Sequence, residues 1–178
     1  MDRMIDMKKS STVFLDGLLN ERVGKAGKYF EKEKDAWIDI FRSEMRVLAD
    51  MRKENEKNLV ISSLCSSIVT GSNAYQIAWY DDNIYLDTNP ACIFYVPEFL
   101  FRDLEEDILE IRKHLQKDYI RLMEYEVEEI RRGYMRRLYA EGKHFFTVLI
   151  KSMGRLYVHD MDIWFGEYMR YVDLIGRI

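Results

Sequence analysis

The sequence predicts a mainly α-helical protein: an elongated bundle of long helices with a small antiparallel β-hairpin or meander inserted at about residues 74–97. Three observations predict it. No glycine or proline stands between Gly27 and Gly71, or between Pro97 and Gly133, so two long intervals are free of helix-breaking residues. In both intervals apolar residues recur at steps of three and four. At Ala74 that spacing gives way to a period of two, which is the strand signature.

Taken in order, Ser10 or Ser11 caps a short helix over Thr12 to Val23, and Gly24 and Gly27 end it, leaving residues 1–27 as an N-terminal arm. Phe30, Trp37, Ile40, Phe41, Met45, Leu48 and Met51 then form one apolar stripe. Residues 28–70 read as one helix of about 43 residues or as two helices broken around Lys53 to Asn58. Their second half sets Val60, Ile61, Leu64, Cys65, Ile68 and Val69 against four serines one turn apart, a pattern that lets a neighbouring helix approach closely.

The alternation of Tyr75, Ile77 and Trp79 with Gln76, Ala78 and Tyr80, the interruption at Asp81 to Asn83 and the return at Ile84 to Leu86 read as a hairpin. Asn89 and Pro90 turn the chain into a third strand over Cys92 to Val96. Residues 98–140 read as one long helix. Acids from Glu98 to Asp107 crowd its start and arginines from Arg131 to Arg137 its end, as the helix dipole favours. Its stripe runs through Leu104, Ile108, Ile111, Leu115, Val127, Ile130, Tyr134 and Leu138. An aromatic-rich helical segment over 143–178 follows, with Gly154 and Gly166 as places for a bend.

The whole chain of 178 residues fits a single domain, and 33% charged residues with only two prolines exclude a disordered or collagen-like chain. A net charge of −4 argues against a generally nucleic-acid-binding surface. Cys65 and Cys92 read as buried thiols of a reducing cytosol rather than a disulfide. The charge-free stretch from Asn58 to Tyr80 is long enough to test as a membrane span, but its serines and Asn73 are too polar for hydrocarbon. A soluble cytoplasmic protein is expected.

No motif reaches the level of a reaction. Glu141 and His144 have the Glu-x-x-His spacing of di-metal helical bundles, but no second copy accompanies them. Glu110 and His114 read as a helix-surface pair. His159 with Asp160 and Asp162 lacks a further histidine nearby, and Cys65 and the serines around it lie on no nucleophile elbow. No cofactor and no metal are expected.

Surfaces are the stronger signal. Arg131, Arg132, Arg136 and Arg137 interleave with Tyr134 and Tyr139 in the way of a nucleic-acid contact, although dipole-complementing ion pairs explain them without a ligand and are the favoured reading. Tyr75, Trp79, Tyr80, Tyr85, Phe94 and Tyr95 alternate between two faces of the meander, and residues 58–97 hold no Lys or Arg. Trp164, Phe165 and Tyr168 belong to an aromatic load that surrounds its expected helix on most sides. The sequence therefore favours a non-enzymatic protein-interaction module of adaptor, inhibitor, immunity-type or assembly-factor kind, which dimerises through the C-terminal aromatics. A nucleic-acid-associated regulator is the alternative, and a metal-binding or enzymatic bundle the third.

Overall fold

The computed structural model describes residues 3–84, 86, 89–152 and 161–177. The chain runs α1 (Arg3–Lys32), α2 (Lys34–Asp50), β1 (Asn58–Ser63), α3 (Cys65–Thr70), β2 (Tyr75–Tyr80), β3 (Cys92–Tyr95), α4 (Glu98–Phe101), α5 (Leu104–Asp118), α6 (Glu124–Ser152), β4 (Asp162–Glu167) and β5 (Tyr171–Arg177). The strands form one five-stranded mixed sheet in the order β3-β2-β1-β4-β5. Neighbours are antiparallel except β1 and β4, which run parallel with Asn58 opposite Asp162 and Ser63 opposite Glu167.

This overturns the helical bundle with a small hairpin: the architecture is a layer of helices on a mixed sheet. The decisive element is β1, read from sequence as helix. Leu59, Val60 and Ile61 are all buried, because a central strand covered on both faces needs a continuous apolar run. Such a run carries no period, so helical spacing and a buried strand fit it equally. The Ser-rich half of the expected helix is reduced to α3, which Gly71 ends in the left-handed conformation at φ 72.

Other helix boundaries also differ. α1 continues through Gly24 and Gly27 instead of stopping there. Each interior glycine costs about 1 kcal/mol against alanine, and the burial of Leu15, Leu18, Leu19, Ala26 and Phe30 along one face outweighs that. The helix expected over 98–140 is interrupted at Asp103, which sits at φ 61, and again between Asp118 and Glu124. The C-terminal segment is helical only to Ser152 and then supplies β4 and β5. Met153, Gly154, Leu156, Tyr157, His159 and Asp160 lie outside the described residues, as does Tyr85; its neighbours Ile84 and Leu86 form a turn rather than a strand.

Strands over 75–80 and 92–95 are present as the sequence predicts, but they pair directly and antiparallel, with Tyr75 opposite Tyr95 and Ala78 opposite Cys92, instead of through a strand at Ile84 to Leu86. The helices cover the face that carries Leu59, Ile61, Tyr75, Ile77, Trp79, Ile163 and Phe165. Tyr75 is the hub. Its ring centroid lies 4.9 Å from those of both Tyr139 and Phe146, and its hydroxyl donates to the Tyr139 carbonyl at 2.7 Å. On the opposite face Val60, Ala78 and Tyr80 form a second, smaller core with Ile84, Cys92, Trp164 and Val172 packed on it. No helix of the chain is long and apolar enough to cross a membrane among the described residues.

Candidate functional site

Most of the aromatic candidates are core. Tyr75, Trp79, Tyr95 and Phe165 are buried beneath the helices, and the Trp79 indole donates to the Leu48 carbonyl at 3.0 Å. Tyr80 is enclosed in the second core. Trp164 is half-buried and donates to the Asn58 side chain at 2.9 Å, while Tyr168 is half-buried with its backbone N–H on the Ser63 carbonyl at 3.1 Å. Among the described candidates Phe94 alone is open, 62% exposed on β3.

The arginines of α6 divide in the same fashion. Arg131 and Arg132 both hold Glu128, at 2.7 and 2.9 Å, and Arg137 holds Asp16 of α1 at 2.6 Å. The hydrogen bond from Arg131, followed by that from Arg132, draws the Glu128 carboxyl down to about 2. Arg136 has no ion pair among the described residues.

A buried polar cluster joins α1 to the helices that follow the sheet. Arg22 donates through Nε and Nη2 to Asp107 at 2.7 and 2.5 Å, and to the carbonyls of Arg102 and Asp103 at 2.7 and 2.9 Å. Its fifth donor reaches the Asp103 carboxylate at 3.3 Å, so the guanidinium is fully satisfied. Tyr134 closes the cluster with a 2.5 Å bond to Asp107, and burial pushes its hydroxyl pKa up. A charge pair with every donor used has nothing left for a ligand, and the cluster holds helices together.

Chemistry finds no assembled centre. Glu141 and His144 both lie on α6, His144 exposed and edge-on to Phe145, and the described residues contain no group of three potential metal ligands. His114 stacks on Phe14 with centroids 4.0 Å apart. Cys65 is exposed and Cys92 half-buried, both as free thiols, which corrects the expectation that both are buried. Cys65 opens α3, where its side chain faces outward.

What remains is the C-terminal margin of the sheet. β1 and β4 end side by side, and their onward connections part there, β1 leading through α3 to β2 and β4 turning directly into β5. Diverging connections at the carboxyl ends of parallel strands leave a crevice. Here it is a pocket of about 160 Å³ between those strand ends and α6, lined among others by Ser63, Glu167, Tyr171, Asp173, Arg136 and Lys143. Two of its charges are paired across it, Lys143 of α6 with Asp173 of β5 at 2.8 Å, and Glu167 is paired with Arg170 at 3.2 Å.

β5 forms the outer wall. Among the described residues no strand lies beyond it, and Tyr171 and Leu174 are 58% and 49% exposed. Sequence reasoning missed this edge because it assigned 143–178 to helix. The signal was present: aromatics spread around most of a helix have no single buried side, whereas on a strand the same residues fall on two alternating faces. No protein-family model matches this chain, and no significant match is found among curated proteins or solved structures.

Proposed function

We propose that the protein is a non-enzymatic protein-interaction module, of adaptor or assembly-factor kind, that receives an extended segment of a partner protein on the free edge of β5. The observation that carries this reading is the edge itself. The strand runs without proline and, apart from an irregularity between Leu174 and Gly176, its outer edge faces no further strand among the described residues. Strand addition uses the backbone groups of such an edge for affinity and the alternating side chains for selectivity. The exposed Tyr171 and Leu174 supply those side chains. The two free thiols suit a reducing compartment, and we place the module in the cytosol.

Backbone amide exchange tests it. A peptide selected from a random decapeptide library on the full-length chain should slow exchange at alternate residues of 171–177 by about tenfold or more. Peptides that protect other surfaces, or a library that yields none, would count against the reading.

A further inference from the structure

We infer that the segment added to β5 runs antiparallel to it and ends there, its C-terminal carboxylate held by Arg136 in the pocket between α6 and the ends of β1 and β4. The inference rests on the strand-addition reading and fixes the partner's chemistry: an extended C-terminal peptide with a free carboxylate.

Geometry and charge lead to the same end. β5 starts at Tyr171, and Tyr171 and Asp173 line the pocket, so the pocket lies at the N-terminal end of the edge. A strand added antiparallel brings its C-terminus to that end; a parallel one brings its N-terminus. The pocket's charges choose between them. Lys143 and Asp173 satisfy each other, and Glu167 is held by Arg170, which leaves Arg136 as the lining charge with no ion pair among the described residues. A lining guanidinium with no ion pair suits a carboxylate and disfavours an ammonium. A volume of about 160 Å³ is roughly five times a water's share of the liquid, room for a carboxylate and a small terminal side chain. α6 flanks the edge strand, held to it by the Lys143–Asp173 bridge, so the added strand lies in a groove with a helix on one side and backbone donors on the other.

The test uses two pools of random heptapeptides on the full-length chain, one with free C-terminal carboxylates and one C-terminally amidated, the retained fraction read by mass spectrometry. The free-acid pool should be retained about tenfold better, as for loss of a charged hydrogen-bond partner. Arg136→Ala should erase that difference, whereas Arg132→Ala, outside the pocket, should leave it intact. Both variants change exposed or half-exposed side chains, and an unchanged thermal midpoint confirms that each is folded. Equal retention of the two pools, with β5 amides protected, would overturn the carboxylate inference and leave strand addition standing. Sensitivity to N-terminal acetylation instead of amidation would overturn it in favour of a parallel strand. Retention of neither pool would sink both readings.

Discussion

At one edge of the sheet β3 spans four residues, stands between Pro90 and Pro97, and lies against α2; at the other β5 spans seven, contains no proline and carries Tyr171 and Leu174 in the open. Proline has no N–H to offer a neighbouring strand, and a short edge offers few groups in any case. The first edge is blunted by its brevity and flanking prolines, whereas the second is interrupted only at the irregularity between Leu174 and Gly176. The difference separates two uses of aromatic residues that look alike in sequence: Tyr95 on β3 anchors the edge into the core, whereas Tyr171 on β5 faces outward.

The largest test of this contrast is Tyr95→Ala. Its ring meets Phe41 at 5.2 Å and Phe146 at 5.9 Å, and truncating a buried aromatic should cost about 3–5 kcal/mol, read by urea unfolding. A loss below about 1 kcal/mol would mean that β3 is no better anchored than β5.

Gly166→Ala should act on the other edge. An added Cβ would stand 1.9 Å from the Tyr171 carbonyl oxygen, so backbone must move and β5 with it. A destabilisation of about 1–3 kcal/mol is expected. Amide protection should fall through 171–177 while β2 and β3 keep theirs. Gly176→Ala is the control: its nearest atom would be an ordinary 3.9 Å contact, and little should change.

Acid should distinguish the edges more gently. Arg177 donates to Asp162 at 2.5 and 2.9 Å, tying β5 to β4, and this holds the Asp162 carboxyl below its usual 3.8. A depressed carboxylate stabilises fully above the usual value and loses that contribution as pH falls through its folded one. Exchange at β5 amides, corrected for intrinsic rates, should therefore rise below pH 3.8 relative to exchange at β3. Asp162→Asn should remove the difference.

The smallest expected effect is that of Leu174→Ala, a half-exposed side chain whose loss should change stability by no more than about 0.5 kcal/mol. Its effect should appear in peptide binding. A loss of stability comparable with Tyr95→Ala would show that β5 is core and not a docking edge.

Local patterning made part of this molecule legible. The stripe of Phe41, Met45 and Leu48 is the buried face of α2, and Val127, Ile130, Tyr134 and Leu138 that of α6. The strands over 75–80 and 92–95 were readable too from alternation, but their direct pairing was not, because Ile84 to Leu86 looked like the strand between them. The candidate site was not. Arg136 was visible only as one of four arginines, and the pairing of its neighbours with Glu128 and Asp16, which leaves it as the one without an ion pair among the described residues, is a property of assembled helices.

The sequence by itself determined where the chain repeats at 3.6 or 2 residues, since those periods follow from backbone geometry at each residue. Only the tertiary structure decided that Leu59–Ile61 and Ile163–Phe165 are strands, because each becomes one through the other. β1 and β4 pair in parallel between residues 104 positions apart, and no local signal encodes a partner so distant. Once that pair forms, β5 is left at the rim and the ends of β1 and β4 open beside α6. The edge and its pocket are therefore consequences of long-range pairing, and side-chain pattern supplied only the residues that line them.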